Sequence, residues 1–485
     1  MAVLLPLLVL GLSLFLVWQG WISLRVDSIG GDASQNLRSA MNLWQHGVYG
    51  ESLNPVEAGY RREPLPNWIL AAHLKWLVRA PVGLPYADLV ADPDLLTRTM
   101  QVNLVYLLAL FLSLWGLCVR LIRPGWLAHL VAVVVIYFSD NAFAADQLTT
   151  LNTELPAALM MTLTALAFVL LRQRHHSGWA ILAGLVFGGL VLTKASGSYL
   201  ALVLLPLIPF LLNHSRRRSL ALGLCVALGF ALAVLPWVAR NLIEFGKPAI
   251  ARGGADVLMI RSVYNQMTPH EFRGAFYFFA PERLQKDFFE PYLGFSETQR
   301  ECGGSLERLS RSLPCDERAF AEGREGDVKS FYQIGKRVLP AQIRAQTVMS
   351  GIKTPGDVVQ QGVALDRIRA APLKHVLVSL PLSWQALWTF RNQMTWFGVI
   401  ANGLAMTSLL AMPALGVMWR KPEWVLISIV PVGYFLFYGL FSHFIPRYSE
   451  PLIPLSLVCL SLLLLEVIRR VGAPLADRYA RGGGR

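Results

Sequence analysis

A chain of 485 residues that is 54% hydrophobic and only 15% charged falls well below the ~25% charge of a soluble globular domain, which excludes one large soluble core. The deficit gathers in runs of about 18 or more apolar residues, each able to cross ~30 Å of hydrocarbon. A net charge of +13 would point to nucleic acid in a soluble protein; here the arginines form short clusters between apolar runs and report orientation instead.

The segment from Met1 to Leu24 is apolar from its start, lacks a basic leading region and has no small-residue cleavage site after it. A retained first span over 3–24 is expected, rather than a signal peptide. Residues 25–98 form a long polar stretch with two amphipathic segments, Ala33 to Trp44 and Asn67 to Val78, predicted to be helices on the membrane surface. Further spans are predicted at 101–119, 126–139, 153–171, 178–193, 197–213 and 220–240. Residues 242–372 are again polar and long enough for a small domain. The stretch 373–390, with Lys374, His375, Trp384 and Trp388, reads as an interfacial helix. The last three spans are predicted at 396–418, 424–442 and 451–468.

Positive charge follows every even-numbered span: Arg120 and Arg123, Arg172 and Arg174, Arg216 to Arg218, Arg420 and Lys421, Arg469 and Arg470. Those loops and both termini are therefore expected in the cytoplasm, and counting 373–390 as a span would break the pattern. The chain then divides into a membrane module over 1–241 that includes the outer loop 25–98, an outer region over 242–372, and a part over 373–485 holding the interfacial helix, the last spans and a cytoplasmic tail. Of the five cysteines, Cys118, Cys225 and Cys459 sit in apolar spans as packing residues. Cys302 and Cys315 share the outer region and are expected to pair if it meets an oxidising compartment, the alternative being two free thiols.

Ionisable residues collect at the outer ends of the spans: Asp27, Asp32, Arg61, Arg62 and Glu63 in the first loop, Asp140, Asp146 and Glu154 between spans 3 and 4, Lys194 after span 5, Arg240 closing span 7, and His443, Arg447 and Glu450 before span 10. Singly, each is accounted for by snorkelling or local pairing; as a mixed set at one face they point to function. A carboxylate can take the proton of a hydroxyl, and Arg or Lys can hold a departing phosphate. Together they suit sugar transfer from a lipid-linked phosphosugar to an acceptor hydroxyl.

At these residues the sequence resembles the GT-C glycosyltransferases, the polyprenyl-phosphate-sugar-dependent enzymes that include protein mannosyltransferases and the lipid A aminoarabinose transferase. In "GGDASQNLRSAMNLWQHGVYG", Asp32, Ala33, Ala40, Asn42, Leu43 and Gly47 follow the family's first-loop pattern, with Asn36 where an aromatic is usual. "YRREPLPNWILA", "TLNTELPAALMM" with Glu154, "GLVLTKASG" with Lys194, "LPWVARN" with Arg240 and Asn241, and "IPRYSEPLIP" with Arg447 and Tyr448 resemble later family segments in order. The resemblance implies a GT-C-like bundle of about ten transmembrane helices. It implies Asp32 as the base for attack at the anomeric carbon with inversion, while Asp is also a preferred helix N-cap. Glu154 and Asp146 follow as further acids, and Glu154 has a second reading as a structural partner of Lys194. Arg240, Arg447, Lys194, Arg61 and Arg62 are implied as donor-phosphate ligands. Glu63, Tyr60, Asn241, Tyr448 and His443 are implied as substrate contacts.

No cofactor is expected. Two acids near the rim would suffice for a divalent ion, but no metal-ligand spacing is present and His175 and His176 fall on the cytoplasmic side. The expected partners are a polyprenyl-phosphate sugar, a glycan, lipid or protein acceptor, and the bilayer, with no nucleic acid. The sequon at Asn213 lies on the expected cytoplasmic side, and a bacterial cytoplasmic membrane with a periplasmic site is the expected setting. A lipid-glycan transporter or flippase would place charges in the span centres and repeat its halves, neither of which is seen. An O-antigen-type polymerase or ligase lacks the first-loop arrangement, and a scaffold presenting 242–372 leaves the rim charges without a purpose.

Overall fold

The computed structural model describes residues 3–212, 215–349, 356–391 and 393–482, so Asn213 lies outside them. The protein is an all-α polytopic membrane protein, with no strand among the described residues. Among the described residues, eight helices are long and apolar enough to cross a membrane: Leu4–Ser23, Pro93–Leu121, Gly125–Gln147, Glu154–Arg174, Arg216–Phe245, Trp396–Met418, Pro422–Phe441 and Pro446–Val471. The predicted spans at 178–193 and 197–213 are the helices Ser177–Thr193 and Gly197–Leu211, of 17 and 15 residues. At 1.5 Å per residue they reach roughly 25 Å and 22 Å, short of a full hydrocarbon core. The stretch 373–390 becomes the 16-residue helix Pro372–Leu387.

Two compact units emerge. The first takes Met1–Ile250, Leu404–Val432 and Glu450–Arg485, and the second takes Ala251–Gly403 and Gly433–Ser449. The division departs from that drawn by charge pattern, because residues 373–403 and 433–449 pack with the polar region through contacts that no local pattern records.

In the first unit, the helices Ser177–Thr193 and Arg216–Phe245 pack most closely. Gly184 and Gly188 are spaced as in a G-x-x-x-G helix-pairing motif, and small residues let backbones approach where lipid supplies no hydrophobic drive. A Cβ on Gly184 would stand 2.0 Å from the Val226 carbonyl oxygen, and one on Gly229 would stand 2.1 Å from that of Ile181. At the expected cytoplasmic ends, Arg172 Nε meets Glu423 Oε1 at 2.8 Å and its NH1 donates to the Leu211 carbonyl at 2.7 Å. Glu466, 4% exposed, receives Arg469 and Arg470 at 2.8 Å each and also Lys421. Several of the charges that reported orientation are thus also ion-pair partners.

The second unit is a set of short α, 3-10 and π helices. Arg261 is fully buried and donates to the His375 carbonyl (2.6 Å), Ser379 Oγ (2.8 Å) and Asn265 Oδ1 (3.0 Å). Burial lowers its pKa to about 9, and burial together with Arg261 lowers that of His375 to about 4. Cys302 and Cys315 are joined in a disulfide, with Cα atoms 6.1 Å apart.

The Gly–backbone crossing makes a direct prediction. Gly229→Val should cost about 1–3 kcal/mol or more through overpacking and lower the melting temperature in detergent. Gly11→Val, where a Cβ meets nothing within 4 Å, should leave it unchanged.

Candidate functional site

Both predicted segments of the first polar loop are helices, and two further short ones, Tyr86–Ala91 and Pro93–Met100, follow them. Gly31–His46 is closed by Gly47 in the left-handed conformation (φ 68°), where its missing Cβ avoids strain. Pro64–His73 opens with Pro at its first position, where no amide hydrogen is needed, and runs into a π turn at Leu74–Val78. Neither merely lies on a surface. Gly31–His46 buries Ala33, Ser34, Asn36, Leu37, Ser39, Ala40, Met41 and Asn42.

Asp32 is not the helix N-cap. Gly30 takes that position, and Asp32 stands in the first turn, where a carboxylate faces the positive end of the helix dipole. Its side chain is 39% exposed and pairs with Arg62, which is 17% exposed. Arg62 Nε also donates to Gln35 Oε1 at 2.8 Å, so one guanidinium ties the Asp32 helix to the entry of the next.

Behind that pair lies a residue the sequence reading passed over. Tyr49 is buried, and its hydroxyl lies 3.0 Å from the carbonyl oxygens of both Arg62 and Glu63 while accepting from Asn67 Nδ2 at 2.9 Å. Burial raises its pKa far above that of an ordinary phenol. The only hint was the "G.Y" that ends the first-loop pattern. Asn36, the departure from that pattern, is buried and donates to the Leu151 carbonyl at 2.7 Å, which fastens the loop to the start of the Glu154–Arg174 helix.

Glu154 and Lys194 form a buried ion pair at 3.0 Å, with side chains 0% and 9% exposed. Glu63 Oε1 accepts from the Ala195 amide at 3.4 Å, so the turn carrying Lys194 touches the loop carrying Arg62. Asp146 is exposed on the short helix Ala145–Gln147, and the next side chain, Gln147, donates to Glu450 Oε2 at 3.1 Å.

Arg240 is anchored by the first loop. Its guanidinium donates to the Gly59 carbonyl (2.8 Å), Asn241 Oδ1 (2.9 Å) and the Tyr49 carbonyl (3.3 Å), and pairs with Glu244 at 2.7 Å. It lies 4.8 Å over the Trp237 ring. Tyr49, Trp68, Trp237, Arg240 and Glu244 line a cavity of about 350 Å³. Asn241 donates to the Ala249 carbonyl at 2.7 Å and shapes the turn after the span. Tyr60 packs on Phe245 with ring centres 4.8 Å apart. Arg61 is exposed and pairs with Glu51 at 3.2 Å. Of the cations expected to meet phosphate, Arg61, Arg62, Lys194 and Arg240 each hold a carboxylate, and Arg240 holds backbone as well.

His443, Arg447 and Tyr448 belong to the second unit. Tyr448 stacks on Tyr438 at 4.7 Å, and His443 meets Tyr448 at 5.7 Å. Burial, with Arg311 and Lys336 nearby, pushes the His443 pKa down to about 3. No cluster of three or more His, Cys, Asp or Glu able to hold a metal ion is found among the described residues.

No family model and no curated protein matches the chain. Its structure is similar to those of the archaeal oligosaccharyltransferase AglB from Archaeoglobus fulgidus. With an inhibitory peptide and a dolichol-phosphate bound, that structure is 13% identical, covers 98% of this chain and 52% of its own, and has a TM-score of 0.47. The apo form gives 13%, 98%, 52% and 0.46, and the complex with Zn and sulfate gives 13%, 96%, 50% and 0.47. The chain thus spans about half the length of the solved structures it matches.

The buried pair predicts an asymmetric mutational response. Lys194→Met strands the Glu154 carboxylate and should cost about 3–5 kcal/mol, whereas Lys194→Met with Glu154→Leu removes both charges and should recover most of that loss. Unfolding in detergent measures both, and equal losses in the single and double variants would contradict the pairing.

Proposed function

We propose that this chain is a membrane glycosyltransferase of the GT-C kind, moving a sugar from a polyprenyl-phosphate donor to an acceptor hydroxyl. The observation that carries this is Asp32. It is a partly exposed carboxylate in the first turn of a loop helix, oriented by Arg62, which is itself fixed by Gln35. A general base must reach its proton and hold its angle; the partial exposure of Asp32 and its tie to Arg62 support such a role. Asp32 would take the proton of the acceptor hydroxyl as that oxygen attacks the anomeric carbon. The bond from that carbon to the phosphate oxygen would break on the opposite face, releasing polyprenyl phosphate and inverting the configuration.

The aromatic cavity beside Arg240 is of a size that suits a sugar headgroup, and Tyr60, Glu63 and Asn241 remain our candidate substrate contacts in the same unit. Arg61 and Arg240 remain our donor-phosphate candidates in the first loop and span 7, with Arg447 beside Tyr448. Glu154 and Lys194 act in this scheme as a positioning pair beneath the loop, and Asp146 as a second exposed acid. The basic clusters support a topology with the loop 25–98 and the region 242–372 on the periplasmic face of a bacterial cytoplasmic membrane and both termini in the cytoplasm. No metal is required, since the leaving phosphate can be met by Arg and Lys.

The test is transfer by purified protein in lipid, with a panel of polyprenyl-phosphate sugars and cell-envelope acceptors. Asp32→Asn should lower the rate by about 10²–10⁴-fold with its helical content and melting temperature unchanged. Transfer that survives in Asp32→Asn would move the base elsewhere. Donor passage across the bilayer without transfer would make the protein a flippase.

A further inference from the structure

The second unit holds two cations with no acid to meet. Arg311 lies with its guanidinium 4.4 Å from the centre of the Tyr332 ring, and Lys336 Nζ lies 5.2 Å from the same ring. Partial burial would raise the Tyr332 pKa, but the positive charges of Arg311 and Lys336 beside it bring it below the ordinary phenol value. Both cations are exposed. The carboxylates of this region are engaged elsewhere: Glu271 with Arg308 at 3.4 Å, Glu317 with Arg337 at 3.4 Å, and Asp316 with the amides of Lys329 (2.8 Å) and Ser330 (3.1 Å). No carboxylate pairs with Arg311 or Lys336 among the described residues. Like charges held on one ring repel, and an anion between them relieves that repulsion.

His443 is a second, independent observation. It is 5% exposed, its ring meets Tyr332 edge-on at 5.3 Å, and its buried Nδ1 has no hydrogen-bond partner. A buried polar atom left unbonded costs free energy, and a neutral imidazole has one N–H to donate. Two cations on the Tyr332 ring and an imidazole at its edge are therefore gathered around one side chain.

We propose that Arg311, Lys336, Tyr332 and His443 form a binding site for a dianionic phosphate group, a monoester or a diphosphate. Two uncompensated charges match a dianion, whereas a carboxylate or a phosphodiester neutralises one. Charge-assisted hydrogen bonds to phosphate oxygens are the strong class. The site deepens the glycosyltransferase reading and rests on it only for the source of the phosphate, which is a polyprenyl phosphate or diphosphate headgroup or a soluble ester. Sequence singled out His443 alone of the four.

The experiment uses the full chain in phosphatidylcholine nanodiscs, titrated calorimetrically with inorganic pyrophosphate at low salt. Saturable binding is expected, with no displacement by acetate at equal concentration. Arg311→Gln with Lys336→Gln should weaken it by about tenfold per cation removed, with an unchanged melting temperature because both side chains are exposed. Tyr332→Phe should weaken it by a smaller factor. Absence of wild-type binding, or equal affinity in the double variant, overturns the site. Nanodiscs carrying undecaprenyl phosphate separate the sources: competition with pyrophosphate assigns the site to a lipid headgroup, and unchanged pyrophosphate affinity assigns it to a soluble phosphate. Because no turnover is measured, failure here leaves Asp32 untouched, and failure of transfer leaves the phosphate site untouched.

Discussion

A buried phenol hydroxyl must be hydrogen-bonded, and satisfying Tyr49 organises the first unit of this protein. Its oxygen bridges Asn67 and the Arg62–Glu63 backbone, while its own carbonyl receives Arg240. The same tyrosine packs its ring edge-on against Trp237, 4.8 Å away. A polar loop that would otherwise float at the rim of the spans is thereby fixed to the end of the Arg216–Phe245 helix. Arg62, held from behind through its carbonyl, is free to present its guanidinium to Asp32. The geometry of the acid follows from the burial of the tyrosine.

The other charged groups at that rim divide by exposure. Glu154 and Lys194 are buried and neutralise each other, an arrangement whose desolvation cost makes it a device of geometry rather than of stability. It joins the Glu154–Arg174 helix to the turn after Ser177–Thr193, and through the Ala195 amide to Glu63. Asp32, Asp146 and Arg61 remain open to solvent in part or whole. In the proposed mechanism, the acid that receives the substrate proton is one of the open ones.

Much of this was legible in the sequence because apolar periodicity is local. All ten predicted spans are helices, and so are both first-loop segments, whose limits are marked by Gly47 and Pro64. What stayed hidden is non-local. The pairing of Glu154 with Lys194, forty residues later, was one of the two readings open for Glu154, but nothing near Asp32 announces Arg62. The span at 178–193 was read at nearly its observed length, whereas the next was read on to 213, past the helix Gly197–Leu211. The packing of 373–403 and 433–449 with the polar region depends on groups such as Arg261 and His375, which meet across more than a hundred residues. The burial of Tyr49 and Asn36 went unread for a simpler reason: a buried polar side chain and an exposed one look alike in a sequence.

The central claim is that a single carboxylate drives direct displacement at an anomeric carbon. Its most direct test is the stereochemical course of one turnover, followed by NMR with an isotopically labelled polyprenyl-phosphate sugar and wild-type protein in lipid. The account predicts a product of inverted anomeric configuration, with one polyprenyl phosphate released per sugar transferred. Retention of configuration, or sugar transfer without stoichiometric release of polyprenyl phosphate, would contradict it.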